Sequence, residues 1–101
     1  MKIPKQVKIA GHNYRVIYPY KFKKDQWAAE IDHDRHEIKI ASHSSLSTKK
    51  VHSEIEESLL HEVLHAVNCR YLPVKQRLHE AQIQQISQGM YQVLKDNKIK
   101  F

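Results

Sequence analysis

One cysteine, Cys69, stands among 101 residues, so no internal disulfide can form and the fold is left to packing or to a bound metal. A lone thiol agrees with a reducing compartment, and on a helix it reads as a small buried apolar residue. Glycine and proline are scarce, at two and three positions, which excludes collagen-like and Pro/Gly-rich disordered classes. No apolar run approaches the roughly eighteen residues that crossing a bilayer requires. The start, MKIPKQVKIAG, carries charges but no apolar run of signal-peptide length. The expectation is a cytoplasmic protein with no membrane partner. Low-complexity tracts and internal repeats are also absent.

What is present suits a single domain spanning residues 1–101, with 41% hydrophobic and 28% charged residues. A domain this small has little stability to spare, and a metal would help hold it together. The formal net charge is +6, and all of the excess lies in the first half. Residues 1–50 hold eleven Lys or Arg against five Asp or Glu, and residues 51–101 hold six against six. Such a bias can attract nucleic acid or an acidic polypeptide. The lysines alternate with apolar residues in VKIAG and IKIA, however, as on a solvated strand face, so a basic patch alone is weak evidence for a nucleic-acid partner.

The first forty residues read as strands. Val7 and Ile9, then Tyr14, Val16 and Tyr18, recur with period two on either side of Gly11-His12-Asn13, which supplies turn chemistry for a hairpin. After the basic stretch KFKKDQ, WAAEIDHDRHEIKIA repeats the pattern: Ala29 and Ile31, a polar turn at His33 to Arg35, then Ile38 and Ile40. The Ser/Thr-rich SHSSLST, residues 42–48, is a connector. From there the period changes. Ser53 with Glu56 has the form of a capping box, and Val51, Ile55, Leu59, Val63 and Val67 predict a helix ending near Arg70, before Pro73. A second helix carries Leu78, Ile83, Ile86, Met90, Val93 and Leu94 as its apolar stripe, with Asp96-Asn97 as stop residues before the KIKF tail. Gly89 inside it costs about 1 kcal/mol against Ala and is expected to mark close packing on a neighbour.

Within the first helix, LLHEVLHAVN places His61 and His65 four apart, about 6 Å of rise and nearly one face, so both imidazoles can aim at one point. That point suits zinc, which accepts His nitrogen and in catalytic sites keeps three protein ligands and an open position for water. Glu62 then lies beside the water, where it can act as general base. With this composition, random placement gives roughly 0.04 matches to the HExxH pattern, and the amphipathic surroundings lower the chance further. The bland reading is a solvated histidine pair on a helix surface. A third ligand must come from the short list after His65: His79, Glu80 and Asp96. Asp96 lies about 24 Å of helix rise beyond Glu80. Glu80 sits one turn before Ile83, on the edge of the apolar stripe, whereas His79 is rotated about 100° away, so Glu80 is favoured.

Two His from one helix and a Glu from the next is the pattern of the gluzincins, the thermolysin-like clan of zinc metallopeptidases. From the strand region through EESLLHEVLHAVN to LHEAQIQQISQGMYQVLKDN, the whole chain resembles their smallest members, the minigluzincins, and related short phage and prokaryotic proteins. The resemblance implies an α+β, zincin-like fold: a small twisted sheet of about three to four strands over an active-site helix and a C-terminal glutamate helix. It also implies one zinc per chain on His61, His65 and Glu80, with Glu62 as base. In zincins an edge strand above the metal pairs with extended substrate, and the matching segment is Ile38, Lys39, Ile40 and Ala41. An ordinary sheet strand would look the same. The chain departs from larger relatives in having no clear match to their separate oxyanion electrophile; Tyr71, His79 and Tyr91 are the candidates, Tyr91 the weakest on geometry.

The reading that follows is a zinc-dependent endopeptidase acting on a polypeptide substrate. Its rivals are a latent or non-catalytic zinc-stabilised binding protein and a basic nucleic-acid-binding module.

Overall fold

The computed structural model describes residues 2–22, 28–43 and 49–99. Much of KFKKDQ, Trp27, most of SHSSLST and the last two residues of the KIKF tail therefore lie outside the described residues. Four strands, β1 (Gln6–Ile9), β2 (His12–Tyr20), β3 (Ala29–Asp32) and β4 (Glu37–Ala41), precede two helices, α1 (His52–Tyr71) and α2 (Glu80–Asp96). A short 3-10 turn, Val74–Gln76, joins the helices. The class is α+β, as expected. No helix among the described residues is long and apolar enough to cross a membrane.

The sheet is mixed, in the order β1-β2-β4-β3. β1 and β2 form a hairpin, but its turn is shorter than the Gly11-His12-Asn13 expectation. Ala10 and Gly11 both take positive φ, 51° and 81°, the geometry of a two-residue hairpin, and His12 and Asn13 already pair with Ile9 and Lys8. The second hairpin, β3–β4, closes over His33 to His36, where the Asp32 carboxylate accepts the backbone N–H groups of Asp34 and Arg35 at 3.0 Å. β4 then slots between β3 and β2, antiparallel to the first and parallel to the second. β3 is left at the edge of the sheet.

The period-two pattern delivers Tyr14, Val16, Ile38 and Ile40 to one face, where they pack with Ile9 against Ile55, Leu59 and Ala66 of α1. Burying each large aliphatic side chain here stabilises the fold by about 1.5–3 kcal/mol. A polar tie fixes how α1 lies on the sheet. The fully buried Tyr14 hydroxyl accepts from Arg70 Nε at 2.9 Å, and the same guanidinium donates to the His33 carbonyl at 2.9 Å.

Three expectations about the helices are corrected. Ser53 and Glu56 do not form a capping box: α1 starts from an extended Val51 with no side-chain cap, and Ser53 lies within the first turn. Glu56 instead turns inward, 1% exposed, where its Oε1 accepts from Tyr91 Oη at 2.9 Å and Lys95 Nζ at 3.1 Å. A solvated helix end offers no donors of comparable strength. The apolar stripe of α2 is also narrower than expected. Ile83 and Ser87 are buried and Tyr91 and Leu94 half-buried, whereas Ile86, Met90 and Val93 are 41%, 42% and 48% exposed. The physical reason is that α2 packs chiefly on α1 and not on the sheet, so a single narrow face is covered.

Gly89 is the third correction, since nothing lies within 4 Å of where its Cβ would sit. Its backbone is not left-handed, so no packing or conformational need for glycine exists within the described chain. Gly89→Ala is therefore expected to stabilise the fold by about 0.5–1 kcal/mol in urea unfolding. A loss of stability would reveal a close approach to this face that the described residues do not account for.

Candidate metal centre

The junction between the two helices is set by side chain to backbone bonds. Arg77 reaches back to the last carbonyls of α1, donating to Cys69 O at 3.0 Å and Leu72 O at 3.2 Å. Asn68 holds the incoming chain with both ends of its amide, accepting from Leu78 N at 2.8 Å and donating to Leu78 O at 3.3 Å. Two residues later α2 begins, with His79 and Gln82 in a reciprocal capping box and Gln82 Oε1 accepting the His79 N–H at 2.9 Å. Glu80, in the first turn of α2, is thereby placed against the middle of α1.

There three side chains converge. His61 and His65, one turn apart, bring their Nε2 atoms to 3.1 Å. Glu80 straddles them, Oε1 at 2.9 Å from His61 Nε2 and Oε2 at 2.7 Å from His65 Nε2. All ligand atoms of the three lie within 4.8 Å of one another. Burial pushes the His65 imidazole below its ordinary pKa, against the pull of the Glu80 charge, and so favours the neutral ring that ligates metal. Behind His61, the fully buried Ser87 hydroxyl donates to Gln84 O at 2.9 Å and presents its oxygen to His61 Nδ1, a long contact of 3.5 Å. With a cation at Nε2, the Nδ1 proton would point to this hydroxyl oxygen; without one, the short contact to Glu80 calls for a proton on Nε2.

Protons on the imidazoles can hold these contacts as hydrogen bonds, and a cation displacing them would meet two nitrogens and a carboxylate aimed at one point. The donor set, two nitrogens and one carboxylate, is that of catalytic zinc sites. Tetrahedral coordination at those bond lengths sets ligand atoms about 3.3 Å apart, so the observed 2.7–3.1 Å separations need open by only a few tenths of an ångström. The residues present therefore fit zinc.

Glu62 lies beside this group on the floor of an open cleft of about 570 Å³, whose wall also includes Ala28, Lys50, Glu57 and Gln84. It is 7% exposed. Among the described residues it has neither a hydrogen-bond nor an ion-pair partner, and since no fully buried side-chain oxygen lacks one, its carboxylate reaches the solvent of the cleft. Burial, then repulsion from Glu80 and Glu30, pushes its carboxyl up to about 7. A carboxyl titrating near neutrality can both take up and release a proton under ordinary conditions.

Other candidates fall elsewhere. Ile38, Lys39, Ile40 and Ala41 belong to β4, which is paired on both sides, so their backbone has no free edge for a peptide. Among the described residues the edge strands are β1 and β3, and Ala29 at the start of β3 lines the cleft. None of the three oxyanion candidates lines the cleft. Tyr71 is 63% exposed at the end of α1, His79 is engaged in the α2 cap, and Tyr91 donates to Glu56. Residues that pattern reading passed over include Asn68, Ser87 and the cleft-wall Glu54 and Glu57. The last two stand seven and four residues before His61, a helical spacing that places them on its face. Compared with known proteins, the chain matches no family model, no curated protein and no solved structure.

The geometry distinguishes Glu80 from its neighbour. Glu80→Ala is expected to abolish tight zinc binding and His79→Ala to leave it, whereas Asn68→Ala should weaken it about 10- to 100-fold by loosening the junction that aims Glu80. Zinc titration against a competing chelator measures all three. Retention of affinity in Glu80→Ala would refute the three-ligand site.

Proposed function

We propose that the chain is a zinc-dependent endopeptidase that cleaves extended polypeptide, as its resemblance to the minigluzincins implies. The observation that carries the proposal is Glu62: a carboxylate 7% exposed, without a partner among the described residues, in an open cleft beside the His61, His65 and Glu80 donors. A carboxylate facing the cleft beside the three donors suits a base, and a purely structural metal site has no need of one. Structural zinc sites also tend to close with four protein ligands. Here three candidates converge among the described residues, and the cleft remains open to solvent.

His61, His65 and Glu80 would hold the ion, which supplies an acidified water and polarisation of the scissile carbonyl. Glu62 takes the proton of the attacking water and delivers it to the leaving amine, a role suited to a carboxyl near neutral pKa. Substrate orientation falls to β3. Its outer edge, Ala29–Asp32, carries no strand among the described residues and begins at the cleft, so a peptide laid there as an added strand gains main-chain hydrogen bonds without regard to sequence. Ser87 and Asn68 act one step back, orienting His61 and Glu80.

Replacing Glu62 with Gln keeps the size of the side chain and removes the base. Glu62→Gln is expected to retain zinc and to melt no lower than wild type while losing 10²–10⁴-fold or more in the rate of cleaving an unfolded protein. A wild type that cuts nothing across a broad set of unfolded substrates, or a Gln variant as active as wild type, would leave the zinc-stabilised binding protein as the reading.

A further inference from the structure

The cleft wall carries the opposite charge to the chain as a whole. Among the described residues its charged side chains are Glu54, Glu57, Glu62, Glu80 and Lys50, in a protein of net charge +6. Two of the four carboxylates have roles, Glu80 as ligand and Glu62 as base, and their two negative charges balance a divalent cation. Glu54 and Glu57 remain, with Lys50 offsetting one of them. Neither has a hydrogen-bond or ion-pair partner among the described residues.

Local helix energetics explain Glu54 but not Glu57. Glu54 is in the first turn of α1, where the helix dipole favours a negative charge. Glu57 lies beyond that turn and is half-buried, so its carboxylate gives up part of its hydration without a compensating partner among the described residues. Along α1 the two precede His61 by seven and four residues, about 10 and 6 Å of helix rise. An extended peptide advances about 3.3 Å per residue, so these distances correspond to roughly two to three residues from the bond at Glu62. A second feature marks the same cavity as one that receives a ligand: Glu62, more than nine-tenths buried and unpartnered among the described residues, lines it, next to the start of the outer β3 edge.

We infer that Glu54 and Glu57 form a subsite for a cationic side chain, which directs the cleft to polypeptide segments with lysine or arginine within two or three residues of the reacting bond. The inference rests on the cleft being a polypeptide site, as proposed above. The N-terminal half is basic and repels such segments at a distance, so the preference depends on these two carboxylates and not on overall charge.

The test uses the full-length zinc-loaded Glu62→Gln protein, which binds without turnover. Fluorescent unstructured peptides that differ only in lysine, glutamine or glutamate at the flanking positions are titrated by anisotropy at two ionic strengths. The lysine peptide is expected to bind about fivefold more tightly than the glutamine peptide, and the glutamate peptide more weakly than either. The lysine preference should shrink at high salt and fall below about twofold when Glu54→Gln and Glu57→Gln are added. Both substitutions lie on the cleft wall and keep side-chain size, and unchanged zinc content confirms the fold. Equal affinity for lysine and glutamine peptides, no binding of any peptide, or a preference that survives the double substitution would each overturn the subsite.

Cleavage by the wild-type enzyme separates this outcome from failure of the peptidase reading. Cutting of all peptides without preference keeps the enzyme and removes the subsite. A lysine preference in binding with no cutting keeps the subsite and removes the enzyme.

Discussion

Two imidazole nitrogens 3.1 Å apart, bridged by the carboxylate of a second helix, form the interaction on which the rest of this small fold turns. α2 has little else to hold it. It packs chiefly on α1, it buries only Ile83 and Ser87 fully, and three large apolar side chains on its flank stay 41–48% exposed. The other cross-helix tie of note is the buried Glu56 carboxylate with Tyr91 and Lys95, further along α2. A cation at His61, His65 and Glu80 would fasten the start of α2 as Glu56 fastens its later turns, so that binding free energy becomes folding free energy.

The same cleft gathers carboxylates that the described fold does not pair. Glu62 has no partner among the described residues, and its carboxyl is held near neutrality by burial and by the charges of Glu80 and Glu30. Glu57, half-buried, has none among them either. Around these groups the scaffold is well determined: Tyr14 and Arg70 lock α1 to the sheet, and Asn68 and Arg77 lock the junction that presents Glu80.

The parts of this arrangement legible in the sequence are those governed by local geometry. His61 and His65 needed only the helix repeat to meet, and Glu80 was nearly the sole acidic residue that followed them. Period two located all four strands. Position in the sheet was not legible, because a central strand and an edge strand share that period, and only the pairing order shows that β4 lies inside and β3 outside. The α2 face was misjudged for a related reason. Apolar residues at 86, 90 and 93 look like core, but its inner row runs through Ser87, a polar residue whose hydroxyl serves His61. The Ser53–Glu56 pattern was real as a spacing and empty as a cap, since Glu56 found stronger donors in Tyr91 and Lys95.

The central claim is that one metal ion joins the two helices through His61, His65 and Glu80. X-ray absorption spectroscopy on protein loaded with stoichiometric zinc tests it most directly, because the scattering shell reports ligand type and number. The account predicts one tightly held zinc per chain with two imidazoles and further oxygen scatterers at about 2.0–2.1 Å, one imidazole being lost in either His61→Ala or His65→Ala. A sulfur scatterer at about 2.3 Å from Cys69, or a shell that neither substitution changes, would contradict it.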